Sequence, residues 1–248
     1  MPFTPAHSAI VLPFIRKRYF SATGLIIGSF APDFEYFIKL NEQSEHSHTV
    51  AGIFYFNVPI TILLAYIFHH VVKRNLISNL PVVLQARFQD TVNVDFVNYF
   101  RRRYWTFLIS AVAGAFSHIF WDAFTHYEGF FAQNLWFYHG SYFPFEGVNY
   151  PLWYALQHIS TYIGLFIVML YLIFKKPQPV EAQSPRILYW VLVITIPALM
   201  IWLRFTWFPE HYTLGNLVIT GITGTCIGVI VGGLIPFSRT GRWQRNNA

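Results

Sequence analysis

The sequence is short of charge and almost without cysteine. Asp, Glu, Lys and Arg make up 11% of its 248 residues, against about 25% in a typical soluble domain. That scarcity excludes an ordinary hydrated surface around a core of this size. The lone Cys226 excludes an intrachain disulfide and any thiolate metal cluster. Inside an apolar run it reads as a buried structural thiol. Low-complexity tracts and internal repeats are also lacking. The apolar stretch 6–15 is followed by Arg16, Lys17 and Arg18 rather than preceded by basic residues, the reverse of a signal peptide, so no cleavage is expected.

Hydrophobic length is what the chain has. Hydrophobic residues are 54% of it and aromatics 20%. Runs able to cross about 30 Å of hydrocarbon recur at 22–38, 50–72, 105–125, 151–174, 187–207 and 214–236. The expected fold is an all-α polytopic membrane helix bundle, with six full spans plus a short N-terminal half-helix. It forms a single integral membrane domain, 1–248, with an interfacial segment at 73–104. In that segment Pro81 is a helix-start signal. Gly221, Gly224, Gly228 and Gly232 in the last run predict a close-packing face.

The net charge of +6 is a topology signal rather than a nucleic-acid footprint. With six spans, fifteen of the seventeen Lys and Arg residues fall on one side, and only Lys39 and Arg204 fall elsewhere. The positive-inside rule places that side, with the C-terminus, in the cytoplasm. No nucleic-acid partner is expected. Two geometries remain for residues 6–15: flat on the inner surface, or dipping into the bundle as half of a hairpin, which would carry His7 to the outer side.

Polar residues gather at one end of this arrangement. His118, Asp122 and His126 are spaced four apart, so they share a helix face, drifting about 40° per step. Ionisable groups in a membrane helix are costly unless paired, hydrated or bound to metal. Asp33 and Glu35 follow closely on the helix-disrupting Pro32, His46 and His48 precede the second run, and His158 lies early in the fourth. All fall at the outer ends of their segments. Imidazole with carboxylate suits a divalent metal, zinc or else manganese or iron. Such an ion could polarise a phosphoryl or acyl oxygen and lower the pKa of a bound water. A plainer reading keeps His118–Asp122 as an interhelical hydrogen-bonded pair. His69, His70, His139 and His211 read as boundary residues, while His158 either supports the cluster or bonds Ser160 or Thr161.

The opening Met1-Pro2-Phe3-Thr4-Pro5-Ala6-His7-Ser8-Ala9, the segment Gly28-Ser29-Phe30-Ala31-Pro32-Asp33-Phe34-Glu35-Tyr36-Phe37 and Ser47-His48-Thr49 together resemble a bacterial membrane family known as domain of unknown function 4184. That family is similar to predicted membrane-bound metal-dependent hydrolases and, distantly, to zinc-dependent phospholipase C. The resemblance implies His7, Asp33, His48, His118 and Asp122 as metal ligands, with His46 beside them in a shortened histidine segment. It also favours the N-terminal hairpin. The second aspartate of the family's Pro-Asp-x-Asp pattern is Glu35 here.

The resulting expectation is a metal-dependent hydrolase of the bacterial inner membrane. It would act on a lipid or other phosphoester at the outer face, with membrane lipid as its surroundings. Glu35 or His126 would serve as general base or would orient the ligands from behind, and Trp121, Trp136 and Phe143 would shape an apolar acyl cleft. The alternative is a non-enzymatic membrane protein whose polar cluster holds a structural metal or passes an ion or proton.

Overall fold

A computed structural model describes residues 3–181 and 183–235. Arg239, Arg242 and Arg245, and with them the expectation for the C-terminus, lie outside the described residues. The chain begins with short helical turns: Thr4–His7, α1 (Ser8–Val11) and Leu12–Phe14.

Pro32 then breaks the first apolar run. A proline within a helix lacks one N–H and crowds the carbonyl four residues back. The run is accordingly divided into α2 (Ala22–Gly28), a tight turn at Ala31–Asp33, and α3 (Phe34–Lys39). The longer piece rises only about 10 Å, too little to cross a bilayer. This overturns the expectation of six full spans plus a half-helix. Among the described residues five segments are long and apolar enough to cross: Val50–Asn79, Phe96–Asn134, Leu152–Phe174, Ile187–Trp207 and Leu214–Leu234.

The first of these, α4 (Val50–Asn79), widens into π-helix at Ile53–Asn57 and Phe68–Val72. The first widening precedes Pro59, whose missing N–H leaves the Tyr55 carbonyl without its α-helical donor. After Pro81 comes α5 (Val82–Val92). The second span segment, Phe96–Asn134, holds α6 (Phe96–Thr125) and the short α7 (Phe130–Asn134). A two-stranded hairpin, β1 (Tyr142–Phe145) with β2 (Val148–Pro151), leads into α8 (Leu152–Phe174). The last two helices are α9 (Ile187–Trp207) and α10 (Leu214–Leu234). They pack as the glycine spacing predicts: Gly224 lies on Pro197, Gly228 on Val193 and Gly232 on the fully buried Tyr189.

Residues 3–39 form a hairpin wedged among these helices. Its first arm follows α8: the Phe3 N–H donates to Thr161 Oγ1, Ala6 packs on Gly164, and the Arg16 guanidinium lies 5.9 Å from the Tyr171 ring. The returning arm, α2, follows α6 at very short range. A Cβ on Gly28 would come within 2.6 Å of the Ala111 carbonyl oxygen, and one on Gly114 within 2.4 Å of the Leu25 carbonyl oxygen. Backbones can approach this closely only where side chains are absent. That contact brings the end of α2 beside His118.

Candidate metal centre

The site is assembled by three segments meeting on the face of α6. The N-terminal turn supplies His7, the break after α2 supplies Asp33, and the loop before α4 supplies His48. α6 itself supplies His118, Asp122 and, at its C-terminal cap, His126. Three of these side chains are almost wholly buried: His7 at 1%, Asp33 at 2% and His118 at 0% exposed. His48 and His126, at 21% and 29% exposed, form the open side.

Hydrogen bonds set which ring atoms face inward. His118 Nδ1 lies 2.7 Å from the Ser29 carbonyl oxygen. A carbonyl only accepts, so Nδ1 carries a proton, and in the neutral ring Nε2 is the nitrogen that presents a lone pair. Ser44 Oγ donates to Glu35 Oε2 at 2.9 Å and lies 3.0 Å from His48 Nδ1. With its proton given to the carboxylate, the hydroxyl accepts from Nδ1, and His48 Nε2 is turned inward, with a free lone pair when the ring is neutral. The Thr4 hydroxyl donates to Asp33 Oδ2, leaving Oδ1 for the cluster.

The inward atoms converge. His118 Nε2 is 3.4 Å from Asp33 Oδ1 and 3.1 Å from Asp122 Oδ2, and His48 Nε2 is 3.7 and 3.5 Å from the same two oxygens. The other Asp122 oxygen, Oδ1, lies 3.6 Å from His7 Nε2 and 3.5 Å from His126 Nδ1. Both His7 nitrogens, His118 Nε2 and Asp122 Oδ1 are buried without a hydrogen-bond partner among the described residues. Unpaired buried polar atoms are costly, and with neutral rings lone pairs here face lone pairs. Bonds of about 2.0–2.2 Å to a tetrahedral ion separate neighbouring donors by about 3.3–3.6 Å, close to the spacing found. Two triads, His7–His118–Asp122 and Asp33–His48–His118, each bring one donor atom per residue within 4.8 Å of the others. The cluster is therefore capable of chelating a divalent metal.

Glu35 sits behind the cluster. It is 2% exposed, and its oxygens accept from Lys39 Nζ, Ser44 Oγ and the backbone N–H groups of Glu45, His46 and Ser47. Burial alone would push its carboxyl up. The Lys39 ammonium and the Glu45 and Ser47 amides outweigh burial and hold it well below the usual carboxylate range. The side chain thus organises the 44–48 loop that carries His48.

The chain belongs to the DUF4184 family. The family is described as a domain of unknown function, and the match covers residues 1–234. No curated protein and no solved structure matches the chain. In this DUF4184 protein the structure brings together His7, Asp33, His48, His118 and Asp122, with His126 at their rim. Other expected site residues stand apart. His46 is exposed and bonds the Tyr55 hydroxyl through Nδ1 at 3.1 Å. His158 is exposed against the Tyr154 ring. Sequence reasoning missed Thr4, Ser29 and Ser44. Thr4 lies within the N-terminal motif and could have been suspected. The Ser29 contribution is a backbone carbonyl, for which residue type gives no signal.

Proposed function

We propose that this protein is a membrane-embedded metal-binding protein whose His/Asp cluster holds zinc. The observation that carries the reading is the meeting of two imidazole lone pairs with two carboxylates, His48 and His118 Nε2 with Asp33 Oδ1 and Asp122 Oδ2, at 3.1–3.7 Å. A cation removes the conflict among four acceptors, and a nitrogen–oxygen donor set of this size suits zinc ahead of the larger, oxygen-preferring calcium. His7 and His126 face the remaining Asp122 oxygen and complete the surroundings of the ion. Glu35 positions His48 through Ser44. The cluster end of the bundle faces outward and the basic end faces the cytoplasm of a bacterial cell, by the positive-inside rule.

The test is elemental analysis of the full-length protein purified in detergent and re-equilibrated with zinc. Wild type is expected to retain stoichiometric zinc, and His118→Ala and Asp33→Ala to lose it. Equal metal content in all three would overturn the reading and leave a protonated, purely structural cluster.

Hydrolysis of a lipid or other phosphoester is a second reading, favoured by the open side at His48 and His126. Catalytic zinc keeps a position for water, whereas structural zinc is enclosed by protein ligands. His126, on the open side, would be the group able to hold a proton there, since the Glu35 oxygens are engaged with the loop. Trp121 flanks the cluster in sequence, while Trp136 and Phe143 are exposed on the following segment. Zinc-loaded wild type in mixed micelles with a phospholipid is expected to release a phosphorylated headgroup, and Asp122→Asn to release none. Bound zinc without turnover would favour the structural reading.

A further inference from the structure

The hairpin between α7 and α8 has two chemically different faces. Its register pairs Phe143 with Tyr150 and Phe145 with Val148, and places Tyr142 opposite Pro151 and Pro144 opposite Asn149. Opposed residues share a face and alternate residues along a strand change face. One face is therefore Phe143, Phe145, Val148 and Tyr150, and the other is Tyr142, Pro144, Asn149 and Pro151. The apolar face is not covered by the rest of the protein: Phe143 is 43%, Phe145 56% and Val148 50% exposed. The turn is a tight two-residue one, with Glu146 at φ 48° and Gly147 at φ 78°, the left-handed pair that suits hairpin twist. A lone two-stranded ribbon with a bare apolar face is marginal in water.

We infer that this hairpin is a membrane-docking element whose Phe143–Phe145–Val148–Tyr150 face rests in the lipid interface at the cluster end of the bundle. The tether favours lipid as occupant. β2 ends at Pro151, α8 begins at Leu152, and the Leu152 N–H bonds the Ser141 carbonyl at 3.1 Å. A strand of this length reaches about 13 Å, so every ring of the face stays close to the first turn of a membrane span. The chemistry agrees. Residues 129–151 contain no Lys or Arg and a single carboxylate, Glu146, at the turn. Aromatic rings are the side chains that settle at the boundary between headgroups and acyl chains. Trp136 and Phe130, 82% and 67% exposed on the segment leading to the hairpin, extend the same set of rings. The inference does not depend on metal in the cluster.

The test uses the full-length chain with Cys226→Ser, which frees the sequence of other thiols, carrying a nitroxide at Phe145→Cys or at Asn149→Cys. The protein is reconstituted into phosphatidylcholine–phosphatidylglycerol vesicles, and collision with oxygen, which concentrates in lipid, is compared with collision with a water-soluble nickel chelate. Ile194→Cys, on the exposed apolar surface of α9, calibrates the lipid value. Oxygen is expected to dominate at position 145 and nickel at position 149. Nickel dominance at both would place the hairpin in water and overturn the inference. Protection of position 145 from both reagents would also overturn it, in favour of a second protein copy on this face.

Discussion

His118 Nδ1 lies 2.7 Å from the Ser29 carbonyl oxygen, and this bond determines which nitrogen of the ring faces Asp33 and Asp122. The bond exists because α2 and α6 touch through glycines. Its geometry therefore depends on residues well away from the donor atoms.

Gly114→Ala tests that dependence. A Cβ there would sit 2.4 Å from the Leu25 carbonyl oxygen and 2.8 Å from the Ser29 amide nitrogen, so α2 must move. Thermal unfolding is expected to show a loss of about 1–3 kcal/mol, the usual cost of overpacking. Zinc affinity should fall about 10–100-fold, as when a ligand's supporting hydrogen bond is lost. Unchanged affinity would show that the Ser29 carbonyl does not orient His118.

Ser44→Ala removes the hydroxyl between Glu35 and His48 while keeping both. Competition with a fluorescent chelator should show zinc affinity lowered by about 10-fold or more, with the melting temperature changed little. A smaller effect than that of His48→Ala is expected, because the ligand itself remains.

Glu35→Gln tests the loop electrostatically. The folded carboxyl titrates below its ordinary value of 4.5, so its contribution to stability is complete above that pH. It is lost as the pH falls from there through the folded value. The stability difference between wild type and Glu35→Gln should therefore be constant from neutrality to about pH 5 and shrink under stronger acid. A difference that instead grew on acidification would contradict a depressed folded value.

His46→Ala and His158→Ala are expected to leave zinc content unchanged. The first ring bonds Tyr55 and the second packs on Tyr154, both exposed. Loss of zinc in either variant would require a different ligand set.

Much of this was legible along the chain. Hydrophobic length and charge scarcity are local properties, and they identified the membrane class and the five long helices. The four-residue spacing of His118 and Asp122 placed them on one face because helical geometry is also local. The outer-end polar clusters already pointed to Asp33 and His48, and the resemblance added His7 to them as a ligand. The hairpin carries His7 and Asp33 to that face, and the loop before α4 carries His48. Counting spans failed at 22–38, where hydrophobic length outvoted Pro32. Apolar composition measures tolerance of lipid, while a span also needs an unbroken run of backbone bonds.

The sequence by itself determined the kinds of donor available: histidine and carboxylate without thiolate, embedded in a chain that only a membrane can solvate. The tertiary structure alone decided their arrangement. It turned His46 away to Tyr55, bound Glu35 into the loop beneath His48, and set the Ser29 carbonyl against His118. These outcomes rest on contacts between distant segments, where exclusion of water raises the cost of every unpaired polar atom. Residue order could name the candidates, but only packing could orient their lone pairs.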